Sequence, residues 1–114
     1  MAIDKPALIS RLVLLWPATA GEYLVDQMVP STAAHLLAGD TVRGVSDVEL
    51  GDIMVPVAVM ATDVPNLFHQ YRTVDRLVNL IPFAVRLDEA FPESPRPDFI
   101  GRLDDFMAVL INHL

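Results

Sequence analysis

Residues Leu50 to Ala61 read LGDIMVPVAVMA. From Val55 to Ala61 no position is polar, which is too many apolar residues in a row for a half-solvated strand and marks one covered on both faces. Pro56 is tolerated only among the first residues of such a strand, because it has no N–H to give a neighbour. Its core is therefore Val57–Met60. Just upstream, Ser46 and Glu49 stand three residues apart in a capping-box pattern, and Leu50 and Ile53 supply one apolar side of a short helix over Asp47–Ile53. A helix running into a doubly covered strand predicts a parallel sheet with helices packed over it.

Two further apolar runs flank this one. Arg11 to Trp16 is ended by Pro17, and Phe83 to Leu87 is shorter and carries Arg86, which places it nearer a sheet edge. The expected fold class is α/β, a three-layer unit of about three parallel strands, Leu12–Leu15, Val57–Met60 and Ala84–Leu87, with flanking helices. Helices are expected over Glu22–Met28 and over Thr32–Ala38, the second capped by Ser31 and ended by Gly39. From Pro65 to Ile81, Leu67, Tyr71, Val74, Val78 and Ile81 recur on one helical face, and Pro82 stops the helix. A closing helix from about Asp98 carries Phe99, Leu103, Phe106, Met107, Leu110 and Leu114 on one side and Arg102, Asp104 and Asp105 on the other. Nothing repeats, and the Pro92–Pro97 stretch is a stiff loop within one domain spanning 1–114.

Of the 114 residues, 53% are hydrophobic and the mean hydropathy is +0.41, high values that predict either unusually complete burial or an apolar surface awaiting a partner. Prolines 17, 30, 56, 65 and 82 interrupt the chain before any run nears the roughly 18 apolar residues of a membrane span. Eight basic against 15 acidic residues, a net charge of −7, and no basic cluster argue against nucleic acid as a partner. No cysteine means no disulfide, thiolate nucleophile or thiolate metal site. The start of the chain imitates a secretory leader, with Lys5 and Arg11 ahead of the apolar Leu12–Trp16. That run falls short of the roughly 7–15 residues of a real one, and Asp4 intrudes, so the cytoplasm is the default expectation.

In their order and end residues, these elements resemble the C-terminal half of the α/β-hydrolase family over most of the chain. The Arg11–Trp16 strand with Pro17 is similar to the one after the family's elbow helix, and residues 21–45 look like a reduced cap region. LGDIMVPVAVMA resembles the approach into the strand that delivers the catalytic acid, a place occupied by Asp63. Leu80-Ile81-Pro82-Phe83-Ala84 resembles the turn into the last strand, and Phe99–Leu114 the closing helix. Two departures stand out. None of Ser10, Ser31, Ser46 or Ser94 lies in a G-x-S-x-G elbow, and Ala90 stands before Phe91-Pro92 where the resemblance implies the catalytic histidine. A Ser-His-Asp relay cannot be assembled from these residues.

Asp63 is thus a candidate triad acid at a strand's C-terminal end, or a cap or turn residue before Pro65. His69, expected at the start of the next helix, either faces the same crevice or points to solvent. His35 and His113 have no ligand-spaced partner, so no metal site and no cofactor are expected. Glu89, Glu93 and Asp98 are either paired carboxylates or members of a solvated loop, and Trp16 and Met28 either line an apolar cleft or fill the core. Three functions fit. The first is a non-catalytic or truncated hydrolase-like lobe that forms a homodimer through the Leu12–Leu15 edge, since ten preceding residues are fewer than the roughly dozen a covering strand and crossover need. The others are a split serine hydrolase whose N-terminal half is a separate chain, and a small-ligand module using the crevice near Trp16, Asp63 and His69.

Overall fold

The computed structural model describes residues 9–93 and 96–113, so the readings resting on Asp4, Lys5, Ser94 and Leu114 lie outside the described residues. Three parallel strands, β1 (Leu12–Leu15), β2 (Val57–Met60) and β3 (Ala84–Arg86), lie in the order β1-β2-β3. Leu12 pairs with Val57 and Leu15 with Met60 on one side of β2, while Val57 pairs with Ala84 and Val59 with Arg86 on the other. Five α-helices accompany them among the described residues: α1 (Tyr23–Asp26), α2 (Asp47–Gly51), α3 (Tyr71–Leu80), α4 (Pro97–Gly101) and α5 (Leu103–Asn112). The α/β class and the parallel sheet are as expected from the sequence. Strand β3 ends at Arg86, one residue before the expected Leu87.

Every residue of β2 is buried. The pleat sends Val57 and Val59 to one face, where Leu50, Ile53, Val74, Leu77 and Ile81 from α2, α3 and their ends form an aliphatic core. It sends Ala58 and Met60 to the other, against Leu87, Phe91 and Phe106, with Trp16 and Phe99 packed alongside. Helices thus cover both faces, the three-layer arrangement of a parallel sheet. Helix α2 starts on the expected capping box, Ser46 accepting from Glu49 N and the Glu49 side chain accepting from Ser46 N.

Helices α1 and α2 are shorter than the expected Glu22–Met28 and Asp47–Ile53, and the other three expected helices depart further, for local reasons. Helix α3 begins at Tyr71 instead of Pro65, because Asn66 Oδ1 takes the N–H groups of Phe68 and His69 and Thr19 Oγ1 takes that of Gln70. Side chains that satisfy the backbone this way compete with a helical turn, and Leu67, expected on the buried face, is left exposed. In the stretch expected as Thr32–Ala38, residues Ser31–Leu37 form a 3-10 segment kinked at Ala33, with Pro30 at its N-cap and no capping side chain. The closing helix breaks at Arg102 (φ −115°, ψ 13°) into α4 and α5. After the 3-10 segment, Gly39 turns at φ +107°, and a Cβ there would collide with the Val42 carbonyl oxygen. Only glycine fits.

Candidate functional site

Parallel sheets present function at the C-terminal ends of their strands, and here β2 runs out into Ala61-Thr62-Asp63. Thr62 is fully buried, and its hydroxyl donates a short hydrogen bond to Glu93 Oε2. Glu93 Oε1 accepts from Asn66 Nδ2 at 3.2 Å. Arg96 Nη1 donates to Asp63 Oδ1 at 2.8 Å and lies 3.6 Å from Glu93 Oε2, while its Nη2 meets Asp98 Oδ2 at 2.9 Å. The loop after β3 is thereby folded back onto the end of β2. Burial alone would raise the Glu93 pKa, but the Thr62 hydroxyl, its own backbone, and the charges of Arg96 and His69 outweigh it and hold the carboxyl below its ordinary value. Tyr71 Oη lies 3.0 and 2.9 Å from the carbonyl oxygens of Thr62 and Asp63, fixing the strand end to α3.

Asp63 itself is occupied. Its Oδ1 accepts from Val64 N at 2.8 Å as well as from Arg96, which makes it a turn and ion-pair residue, while the N-cap of α3 is Gln70. Among the described residues no hydrogen bond joins it to His69, so the two candidates share a strand end without forming a relay. His69 precedes α3, is half-buried, and its buried Nδ1 has no hydrogen-bond partner among the described residues. The resemblance-implied histidine position, Ala90, packs against the aliphatic core. Glu93 is no solvated loop residue, with its side chain only 15% exposed. Trp16 belongs to the core: its ring stacks on Phe106 at 5.4 Å, and its Nε1 donates to Phe91 O at 2.9 Å. Among the described residues no three His, Asp or Glu side chains are grouped to hold a metal ion.

Beside this polar cluster lies a cleft of about 260 Å³, into which His69 and Phe68 lead from one side and Val25, Met28 and Leu36 from the other. Met28 is thus at a cleft wall, one of the two places the sequence allowed. The cleft's cation is Arg43. The sequence reading passed over it, along with Thr62, Asn66 and Arg96. Arg43 carried one available signal, a lone basic residue in the TVRGV stretch of an acidic chain. Arg96 carried another, a basic residue flanked in sequence by Pro95 and Pro97.

No protein-family model matches the sequence, and no curated protein matches it. No helix among the described residues is long and apolar enough to cross a membrane.

Proposed function

We propose that the chain is an α/β-hydrolase-like C-terminal lobe, without catalytic activity of its own, that self-associates through the edge of β1. The observation that carries this reading is the state of that strand. All four residues of β1 are only half-buried, and among the described residues it is bonded on one side, to β2. Leu12 N donates to Pro56 O and Trp16 N to Met60 O, so by strand alternation Leu14 N–H also faces β2. The backbone groups of Val13 and Leu15 then face away from it, toward the open edge.

Both faces beside this edge are apolar. On the α2 side Leu12, Leu14 and Pro17 meet Val42 and Val45 around a hollow of about 180 Å³, and on the α5 side Val13 and Leu15 meet Met107 and Ile111 around one of about 330 Å³. Ile111 is 65% exposed. A second copy supplies the same strand and the same flanks by two-fold symmetry, extending the sheet to about six strands. Among the described residues Arg43 lines the first hollow and Arg11 and His113 the second, and no acidic residue lines either, so two chains of charge −7 can meet there without apposing carboxylates. The absence of activity is supported by Asp63, whose carboxylate is engaged by Arg96, and by Ala90.

Sedimentation at micromolar concentration tests this. A species of twice the chain mass is expected, reverting to one chain mass in Val13→Pro and Ile111→Lys. A stable, monodisperse monomer overturns self-association. Turnover of activated esters by the chain alone overturns the non-catalytic reading. Turnover that arises only on adding a separate nucleophile-bearing chain replaces it with the split hydrolase.

A further inference from the structure

Arg43 is a cation placed in the interior, with its side chain 7% exposed. The loop that carries it is fixed at both ends: Arg43 N donates to Ala18 O at 3.2 Å, Gly44 N donates to Ala38 O at 2.8 Å, and Val42 bridges to Thr19. The backbone that carries the side chain is therefore pinned on both sides of Arg43. Nη1 lies 2.7 Å from Asp26 Oδ1 and donates to Leu36 O at 3.1 Å, which ties α1 and the 3-10 segment to the loop. Nη2 is buried and has no hydrogen-bond partner among the described residues. A buried donor without an acceptor is costly, and most so on a charged group.

The same cleft has a second unpartnered buried nitrogen, Nδ1 of His69. The remaining walls are hydrocarbon or aromatic, and Met28 and Phe68, both exposed, form the mouth. Ala18 and Arg43 also wall the hollow of about 180 Å³ beside β1, so the two apolar spaces abut. Because Asp26 already balances the charge of Arg43, the unmet need is for acceptors: a cationic ligand offers none, and a pure hydrocarbon would leave both nitrogens unsatisfied. A phosphate dianion would call for more donors than two. A carboxylate has two oxygens for two donors, and guanidinium is the side chain whose fork fits it.

From these observations we infer that the cleft binds an apolar monocarboxylate, its carboxylate on Arg43 and His69 and its chain against Val25, Met28 and Leu36. This site is independent of how the chains assemble. Its test is titration calorimetry of the full chain with octanoate, octanamide and octan-1-ol. Octanoate is expected to bind one per chain, and the amide and alcohol about tenfold to a hundredfold more weakly, the size of one lost charge-assisted hydrogen bond. Arg43→Lys should weaken octanoate by a similar factor. Because Arg43 also joins three segments, that variant can fail to fold. His69→Leu removes no hydrogen bond made by the His69 side chain within the described residues, and it should weaken octanoate while leaving octan-1-ol unchanged. Equal affinity for octanoate and octan-1-ol, no octanoate binding, or octanoate binding untouched by His69→Leu overturns the inference. Repeating the titration with Ile111→Lys separates it from assembly, since the affinity per chain should not change.

Discussion

Strands β1 and β2 are both wholly apolar, LVLL against VAVM, yet β2 is buried at every position and β1 at none. Apolarity therefore says that a strand must be covered without saying by what. For β2 the cover is this chain, with a neighbour on each edge and a core on each face. For β1 it is half this chain, and the proposal places a second copy on the other half. Substitution can probe the two edges of β1 separately, because the backbone groups of alternate residues face opposite edges.

The largest effect is expected for Leu14→Pro. Its N–H faces β2, so proline removes a ladder bond inside the fold and fixes φ near the wrong value for a parallel strand. Loss of both fold and association should follow, seen as a lost far-UV signal. Val13→Pro, one residue away, removes a donor on the open side. It should keep a cooperative unfolding transition and lose only the dimer, and equal damage from both variants would refute the distinction between the two edges.

Next in size is Trp16→Ala, which tests where β1 ends. Trp16 sits at φ +47°, in the left-handed region that bulky residues avoid, and the surrounding contacts hold it there. Those contacts are the stack on Phe106, the edge contact with Phe99 at 5.7 Å, and the hydrogen bond to Phe91 O. Trp16 is partly buried, so truncation should cost about 2–4 kcal/mol in denaturant titration, toward the lower end of the range for core aromatics. A loss under about 1 kcal/mol, the range of surface changes, would show that Trp16 is not part of the core.

How much of this was legible follows from the range over which each signal acts. The Val55–Ala61 run, the Ser46/Glu49 box and the Tyr71/Val74/Val78/Ile81 spacing are local patterns, and each marked its element, although the structure also buries Leu77, which the spacing left out. The start of α3 was not legible, since Asn66 and Thr19 decide it and Thr19 lies 51 residues from Gln70 in sequence. The polar cluster was half legible. Asp63 could be placed from its strand, but its partner Arg96 comes from a loop 33 residues away, and nothing in the spacing of either shows that they meet. Arg43 was not legible as a buried cation, because composition places arginines on the surface unless a partner such as Asp26 is visible.

A third prediction contrasts the two carboxylates at the end of β2, beginning with Glu93. Its folded-state pKa is lowered, so the stability it contributes is complete above its ordinary value of 4.5 and is lost as pH falls through the folded-state value. Glu93→Gln should therefore destabilise at neutral pH, by about 1–3 kcal/mol for a lost charge-assisted contact. The gap between variant and parent should close in acid below that value. A gap that stays constant to pH 3, roughly the foot of carboxylate titration, would mean the charge of Glu93 contributes nothing.

The smallest effect is expected for Asp63→Asn, the residue that the hydrolase resemblance would make most important. Its side chain is 26% exposed and Arg96 is 33% exposed, so solvent screens the pair. Asparagine keeps an oxygen to accept from Val64 N, and Arg96 keeps Asp98 at 2.9 Å with Glu93 nearby. What is lost is one partly exposed attraction out of three around the same guanidinium, which should change stability by no more than about 1–2 kcal/mol. Denaturant midpoints of parent and variant measure this directly, and an assay on activated esters should find neither above background. A much larger stability loss would mean that Asp63 anchors the returning loop by itself. Ester turnover present in the parent and absent in the variant would mean that the carboxylate leaves Arg96 to serve a reaction, and the lobe would then have to be read as part of an enzyme.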